Sequence, residues 1–201
     1  MKIGIIGTGN MSASLGRAWI RAGHDVLVGG RSARREAARH GDLVLFAVPA
    51  AAAPEIAADL AGELAGTIVL DCTNPVAPGP GGPMLTVAPG DAVAARIAAA
   101  APAAAVVKAF NLCHASIWTL DPPVFEGVPL GVPYCASTPE AGARVAALIA
   151  SMGCTPVAGG GLDRAPYLEA AAALAIGVWF AGGSPRAMFP SVGRVPAGNA
   201  N

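Results

Sequence analysis

The feature that most constrains the fold is a glycine-rich turn between two segments of different periodicity. Residues 2–6 form a short apolar run, residues 11–22 have the spacing of an amphipathic helix, and between them lies Gly7-Thr8-Gly9-Asn10-Met11-Ser12. Gly7 permits a tight turn, Gly9 lets a pyrophosphate approach the backbone, and the helix N-terminus offers amide donors. Ser12 occupies the position where the dinucleotide-binding pattern has Gly or Ala. The turn predicts a Rossmann-type dinucleotide site, and a glycine turn without a ligand is the alternative.

The rest of the chain alternates apolar runs with Ala-rich helical stretches, which is typical of a parallel sheet covered by helices. Near-continuous apolar runs predict strands at 2–6, 25–29, 43–48, 67–71, 104–109, 131–136 and 155–158. Helices are predicted at 11–22, 33–39, 51–64, 91–100, 139–151 and 164–181. The sequence therefore predicts an α/β fold of the doubly wound Rossmann type, with a mainly parallel sheet and a C-terminal helical extension. The last helix is apolar nearly all round, so we expect it to be buried in the core or at an oligomer interface.

The distribution of proline and glycine predicts the domain organisation. We predict one domain over residues 1–183 and a Pro- and Gly-rich tail over residues 184–201. The same residue types predict loops without regular structure at 77–90 and 121–129.

The residues after the second predicted strand indicate which dinucleotide binds. An NAD site usually has an Asp or Glu here for the ribose 2′-hydroxyl, whereas this chain has Gly30-Arg31-Ser32-Ala33-Arg34-Arg35. A guanidinium binds a 2′-phosphate through two hydrogen bonds, and a carboxylate would repel that phosphate. The pattern therefore favours NADP(H) over NAD(H). A solvated basic helix start, with Arg31, Arg35 and Arg39 on one face, is the alternative.

The segment between this position and the third predicted strand is short. Only the ten residues 32–41 separate Arg31 from the apolar run that follows. That interval holds one short helix and cannot also hold the additional strand of a standard mononucleotide-binding half. We therefore predict that one edge strand is missing and that the adenine side of the cofactor site is more open.

Composition and charge exclude several other classes of protein. Lys plus Arg and Asp plus Glu both number 13, so the net charge is zero, which argues against nucleic-acid binding. The apolar run at 170–183 is shorter than the roughly 20 residues of a membrane-spanning helix. The four cysteines form no C-x-x-C pair, so neither a zinc site nor a redox pair is indicated. We expect a cytoplasmic protein without an export signal, a membrane segment or a metal ion, whose partner is a small-molecule substrate.

Several stretches together resemble a known family over residues 1 to about 190. They are residues 5–11, 23–26 with 30–31, 46–49, 71–75, 148–161 and 165–169, together with the more specific Val106-Val107-Lys108-Ala109-Phe110-Asn111. In these stretches the chain resembles the NADPH-dependent reductases that use the deazaflavin coenzyme F420. It is also similar to the related cytosolic domains of six-transmembrane metalloreductases.

The resemblance implies a set of cofactor-binding residues. Gly7, Thr8, Gly9, Asn10 and Met11 would form the pyrophosphate turn, and Arg31, Ser32 and Arg35 would hold the 2′-phosphate. The family usually has Ser where Gly30 stands, so Ser32 would replace it. Val48 and Pro49 would pack along the cofactor, and the nicotinamide would be bordered by Asn74, Pro75, Ala109, Phe110 and Asn111. By the same analogy we expect a homodimer.

The resemblance also implies a reaction. Hydride transfer between a nicotinamide and a deazaflavin or flavin-like acceptor requires no protein acid or base at the reacting carbons. A second hypothesis is an NADPH-dependent reductase of a small carbonyl or imine, in which Lys108 or His114 donates the proton. A third is a non-catalytic NADP-binding regulator. Candidate walls of the second-substrate pocket are Trp118, residues 78–83, Trp179, Phe180, Met188 and Phe189.

Overall fold

The computed structural model describes residues 1–184, and Met188, Phe189 and all of the predicted tail but Ser184 lie outside the described residues. The strands are β1 (Lys2–Ile6), β2 (Asp25–Gly29), β3 (Leu43–Phe46), β4 (Ile68–Asp71), β5 (Val76–Gly79), β6 (Gly82–Leu85), β7 (Ala105–Ala109), β8 (Val124–Phe125), β9 (Val128–Pro129), β10 (Gly131–Ala136) and β11 (Thr155–Gly161). The α-helices are α1 (Asn10–Arg21), α2 (Arg34–His40), α3 (Ala53–Asp59), α4 (Val93–Ala100), α5 (Pro139–Ser151) and α6 (Ala165–Phe180). Short 3₁₀ helices cover Ala50–Ala52, Ala115–Thr119 and Leu162–Arg164.

Seven strands form one mainly parallel sheet, in the order β11-β10-β7-β4-β3-β1-β2. All neighbouring pairs are parallel except β10 with β7. The chain reverses its direction of travel across the sheet at β1, which pairs with β2 on one side and with β3 on the other. This arrangement confirms the predicted Rossmann-type α/β fold. It also confirms the missing strand, because β2 is the edge and α2 leads from it directly into β3.

Each face of the sheet has its own hydrophobic core. One core combines Leu15 and Trp19 of α1 with Val145 and Leu148 of α5, and it packs on the side chains of alternate strand residues such as Leu45. The other core joins α3 and α4 to the opposite strand residues, among them Val44, Phe46, Val69 and Val106. Burial on both faces explains why the strands are continuously apolar in sequence.

The predicted loop at 77–90 is wrong in its first half, because β5 and β6 form a hairpin there. Gly79 pairs with Gly82 across a two-residue turn, and Pro78 faces Pro83 as the next pair. In an antiparallel ladder, the pair next to the one that closes the turn is a non-hydrogen-bonded pair. Pro78 and Pro83 occupy this pair, so the sheet does not need the backbone N–H groups that prolines lack. A smaller pair, β8 with β9, likewise occupies part of the predicted loop at 121–129.

Two helix predictions also need correction. The predicted helix at 51–64 is shorter, since α3 ends at Asp59 and the chain passes through turns towards Gly62 and Gly66. The predicted burial of α6 fails within the single chain: its buried residues are Ala165, Glu169, Ala172 and Ala173, while Leu174 is 54% and Phe180 is 83% exposed.

Across residues 1–184, no helix has both the length and the apolar character that a bilayer span requires.

Candidate active site at the carboxyl edge of the sheet

The two glycines of the turn after β1 differ in whether the fold requires them. Gly7 has φ +121°, and its amide donates to the carbonyl of Gly29 at 3.0 Å. A Cβ at Gly7 would overlap the carbonyl of Ala47, so the packing of the sheet edge itself requires glycine. A Cβ at Gly9 would meet no described atom within 4 Å. Folding therefore does not require glycine at position 9. Close approach of a ligand to the backbone would explain why a glycine is present there.

The turn separates two cavities at the carboxyl edge of the sheet. The first has a volume of about 660 Å³ and lies where the strand order reverses, between the ends of β1, β2 and β3. Residues from the turn, the ends of the three strands, the start of α2, and α3 with the 3₁₀ helix before it line the cavity: Ile6, Gly7, Thr8, Gly9, Gly30, Arg31, Arg34, Ala47, Val48, Pro49, Ala52, Glu55, Ile56 and Asp59. The predicted residues Gly7, Thr8, Gly9, Arg31, Val48 and Pro49 are thus brought together in this cavity.

The arginines after β2 divide into two groups. Arg31 and Arg34 line the first cavity, and Arg34 Nη2 lies 2.8 Å from Asp59 Oδ2. Arg35 lines neither cavity: it pairs with Asp59 Oδ1 at 2.7 Å and with Glu63 Oε1 at 2.8 Å. The Glu63 hydrogen bond, with Asp59 beside it, raises the pKa of Arg35 above its ordinary value.

Sequence reasoning therefore missed Arg34. The signal that could have found it is the three-residue spacing from Arg31, which puts both side chains on one face. Ser32 is exposed and lies outside both sets of cavity-lining residues.

The second cavity has a volume of about 520 Å³ and lies on the other side of the turn. Its walls come from the start of α1, the ends of β4 and β7, and the last turns of α6: Asn10, Met11, Cys72, Asn74, Phe110, Asn111, Leu112, Cys113, His114, Ala115, Ile176, Trp179 and Phe180. Of the predicted nicotinamide residues, Asn74, Phe110 and Asn111 line it. Pro75 and Ala109 are buried and lie outside its lining.

Of the candidate pocket walls, Trp179 and Phe180 line the second cavity. Trp118 is instead buried in the core. Of the predicted stretch 78–83, Pro78, Gly79, Gly82 and Pro83 border a smaller neighbouring cavity of about 310 Å³, which Phe180 and Ile176 also line.

Two asparagines are locked together at the floor of the second cavity. Asn74 Nδ2 donates to the carbonyl of Asn111 at 2.7 Å, and Asn111 Nδ2 donates to Asn74 Oδ1 at 2.9 Å and to the carbonyl of Leu168 at 3.0 Å. Asn111 Oδ1 is buried and has no hydrogen-bond partner among the described residues. It is therefore an acceptor that an amide donor of a ligand could satisfy.

The backbone beside Asn111 is held in an unfavourable conformation. Phe110 has φ +64°, a left-handed conformation that costs an L-residue about 1–2 kcal/mol. The Phe110 ring makes edge-to-face contacts with Trp19 and Trp118, at centroid distances of 5.9 Å and 5.1 Å. These aromatic contacts stabilise the turn that presents Asn111 to the cavity.

The two candidate proton donors lie in different environments. Lys108 is fully buried, lines neither cavity, and donates to Asp71, Thr73 and Glu169. His114 is exposed and lines the second cavity. Its Nδ1 accepts from the amide of Ser116 at 3.3 Å, so in the neutral ring the proton is on Nε2.

The thiols of the second cavity are poorly suited to nucleophilic chemistry. Burial raises the pKa of Cys72 to about 12 and that of Cys113 to about 11. Both therefore remain protonated near neutral pH. Within residues 1–184, no three His, Cys, Asp or Glu side chains converge as a metal site.

The fold and the site define a class of protein: a dinucleotide-binding oxidoreductase with two arginines in the cavity beside the glycine turn. Comparison with known proteins agrees with that class. The sequence profile of the family described as NADP oxidoreductase, coenzyme F420-dependent, matches residues 2–37 and 31–75. The chain is 31% identical to metalloreductase STEAP3 of Rattus norvegicus over 84% of its own length. It spans 36% of the length of that relative.

Solved structures show the same relationship over nearly the whole chain. A protein of Arthrobacter sp. FB24, provisionally named an F420-dependent NADP reductase, superposes with a TM-score of 0.81 and 27% identity, covering 92% of this chain and 96% of that one. A hypothetical protein of Sinorhizobium meliloti shares the fold, with a TM-score of 0.71 and 24% identity over 83% of this chain and 88% of that one. The chain is thus similar to coenzyme F420-dependent NADP oxidoreductases, by sequence profile over residues 2–75 and by fold over nearly its whole length, and to about a third of the metalloreductase.

Proposed function

We propose that the protein transfers hydride between NADP(H) and a planar deazaflavin or flavin-like acceptor that binds in the second cavity. The observation that carries the proposal is the placement of two cavities on either side of one glycine turn. One cavity is lined by two arginines and two carboxylates, and the other is walled by aromatic side chains. A dinucleotide laid across the turn reaches both cavities, with its phosphates at the N-terminus of α1.

The residues of the first cavity fit the adenosine half of NADP. Arg31 and Arg34 supply two guanidinium groups near the end of β2, where a 2′-phosphate falls in this fold. Two acidic residues, Glu55 and Asp59, also line the cavity, and Asp59 is compensated because Arg34 and Arg35 pair with its two carboxylate oxygens. Gly9 leaves the approach to the backbone open. The predicted preference for NADP(H) therefore stands as part of the proposal, with Arg34 added to Arg31.

The residues of the second cavity fit two stacked rings. NADPH supplies the hydride when it is bound. Trp179 and Phe180 are 43% and 83% exposed, and they offer flat apolar faces that a stacked planar acceptor would cover. Asn111 Oδ1 supplies an unsatisfied acceptor for an amide N–H at the ring edge. Lys108 contributes no proton here, since its three N–H donors are already used within the protein.

A second candidate function rests on His114. It lines the cavity with a protonated Nε2 and could donate to a carbonyl oxygen or an imine nitrogen. The protein would then be an NADPH-dependent reductase of a small carbonyl or imine. A non-catalytic NADP-binding regulator differs from both, because it would bind NADPH without reducing any acceptor.

The test combines binding with turnover in one preparation. NADPH and NADH are titrated in parallel by calorimetry, and the NADPH-loaded protein is then mixed with coenzyme F420, with FMN and with a cyclic imine. We expect selective NADPH binding, a change in the deazaflavin absorbance band, and F420 turnover that survives His114→Ala. Imine turnover abolished by His114→Ala, with F420 inactive, would establish the second function. Binding without any turnover would leave the regulator, and no binding of either nucleotide would refute all three.

A further inference from the structure

A buried ionic cluster lies behind the second cavity and outside its lining. Lys108 of β7 and Asp71 of β4 are partners in the parallel register, and Lys108 Nζ lies 2.8 Å from Asp71 Oδ2. The same nitrogen lies 2.7 Å from Glu169 Oε1 of α6 and also donates to the carbonyl of Thr73. All three charged side chains are fully buried. Every N–H of an ammonium group is thus used, which is the arrangement of a structural cation and not of a proton donor.

The charge state agrees with this arrangement. Burial alone lowers the pKa of Lys108, but Asp71 and Glu169 outweigh that effect and raise the pKa above its ordinary value. Burial raises the pKa of Glu169. Lys108 therefore stays an ammonium throughout the neutral range, with two carboxyl groups to hold it.

The third member of the cluster belongs to a helix that contacts β6 and packs Leu168 on the core, but whose fully buried side chains are otherwise small. Apart from Glu169, the buried residues of α6 are the alanines Ala165, Ala172 and Ala173. An alanine buries far less apolar area than a leucine or phenylalanine, so hydrophobic packing fixes the position of α6 only weakly. Glu169 additionally accepts from the amide of Val93, the first residue of α4, at 3.0 Å. It therefore connects α6 to β4, β7 and α4 at one point.

A second polar contact reinforces the same point of α6. Asn111 Nδ2 donates to the carbonyl of Leu168, the residue before Glu169. Asn111 itself lines the second cavity. The cluster and the cavity floor are thus joined through two consecutive residues of one helix.

The aromatic wall of the cavity lies at the far end of that helix. Phe180 follows Glu169 by eleven residues, which corresponds to about 16 Å along the helix axis. A tilt of about 5° at the attachment point would move Phe180 by about 1.4 Å, which is enough to lose much of its van der Waals contact with a stacked acceptor ring. Trp179 would move with it. Small changes at the cluster are therefore magnified at the acceptor site.

We propose that Lys108 is a positioning residue: with Asp71 and Glu169 it fixes α6 on the sheet and so sets the place of Trp179 and Phe180 over the acceptor cavity. The role for acceptor binding rests on the function proposed above, whereas the role in placing α6 does not. The acceptor is therefore sensitive to a cluster that it never touches. Cofactor binding in the first cavity is independent of it.

The placement of α6 can be measured without any ligand, through its own tryptophan. The chain has three tryptophans, and Trp19 and Trp118 are buried, whereas Trp179 is 43% exposed. Acrylamide quenching of the fluorescence, corrected with a Trp179→Phe background, reports on α6. We expect Lys108→Met and Glu169→Ala to raise the quenching constant of Trp179 about twofold, because α6 opens locally. Glu169→Gln, which keeps both hydrogen bonds, should stay near wild type.

Kinetics then separate positioning from proton donation. In Lys108→Met and Glu169→Ala we expect the KM for the acceptor to rise about tenfold, with kcat and NADPH affinity changed by less than about threefold. Arg144→Met, which removes an exposed cation from α5, is the matched control and should change none of these values. Should Lys108→Met fail to fold, the two Glu169 variants carry the same comparison.

Two results would overturn the proposal. One is unchanged Trp179 quenching in both Lys108→Met and Glu169→Ala. The other is loss of kcat at an unchanged acceptor KM, which would make Lys108 a proton donor. Failure of the proposed function is distinguishable from either, since it would abolish turnover in the wild type while the difference in quenching remains.

Discussion

Replacing Arg34 and Arg35 one at a time decides which arginine holds the cofactor phosphate. The two residues are sequence neighbours at the start of α2, but Arg34 lines the first cavity and Arg35 faces α3. Arg34→Ala removes a cation from the cavity wall. Arg35→Ala removes a cation of the same size and charge that points away, and is therefore the matched control.

The magnitude follows from the surroundings of Arg34. A charge-assisted hydrogen bond to a phosphate contributes about 1.5–3 kcal/mol. The Arg34 side chain is 34% exposed and already pairs with Asp59, so screening and competition from that exposed pair take away up to about 1 kcal/mol. After the full subtraction, about 0.5–2 kcal/mol remains, which corresponds to about a 2- to 30-fold weaker Kd for NADPH in Arg34→Ala. NADH has no 2′-phosphate, so its Kd should change by less than about twofold.

Calorimetric titration of both variants with NADPH and NADH measures these constants directly. We expect Arg34→Ala to lose most of the preference for NADPH and Arg35→Ala to keep it. Thermal unfolding in parallel checks that each variant is folded. If Arg35→Ala lost more NADPH affinity than Arg34→Ala, the phosphate would lie towards α3 and the assignment from cavity geometry would be refuted.

Three further predictions follow from particular residues. Gly7→Ala should destabilise the fold by about 3 kcal/mol or more in urea unfolding, because it combines a left-handed φ with an overlap at Ala47, whereas Gly9→Ala should unfold like wild type and bind NADPH about tenfold more weakly. The pKa of Glu169 is raised in the folded state. In the unfolded state the carboxyl loses its proton near pH 4.3, whereas in the folded state it keeps the proton to a higher pH. The free energy of unfolding of the wild type therefore falls as the pH rises from about 4.3 to the folded pKa. The stability of Glu169→Gln relative to wild type should therefore increase over that window and then level off, and a difference that does not vary between pH 4 and 8 would contradict this. We also expect a homodimer that covers the exposed apolar side chains of α6, such as Leu174, so light scattering should give twice the mass of the chain, and Leu174→Glu should shift it to the monomer.

The parts of the fold that could be predicted from sequence are those where one local signal decides. Continuous apolar runs such as Leu43–Phe46 predict strands covered on both faces, and the short interval before that strand predicts the missing edge strand. The hairpin of β5 and β6 could not be predicted, because its prolines and glycines are typical of loops without regular structure. Only the pairing of Pro78 with Pro83 shows that their missing donors are not needed.

The candidate site divides in the same way. The glycine turn follows from the pattern at residues 7–12, because strand, turn and helix are adjacent in sequence. The choice between Arg34 and Arg35 depends on two carboxylates that are distant in sequence. Asp59, the last residue of α3, pairs with both arginines, whereas Glu63, in the turns after α3, pairs with Arg35. The cluster of Lys108 depends on a helix 61 residues further along the chain. Such contacts are set by tertiary packing, which local sequence patterns do not encode.

The sequence of α6 explains why its placement depends strongly on the Glu169 carboxylate. Glu169 is the only charged residue of a helix made almost entirely of alanine and larger apolar side chains. A helix that is apolar on every side has no face that hydrophobic burial strongly prefers, so rotated or shifted placements would be close in free energy. A buried ionic contact adds little net stability, but it heavily penalises every placement in which the charge loses its partner. The contact of Glu169 with Lys108 therefore favours one rotation of α6. In that rotation Trp179 and Phe180 line the second cavity.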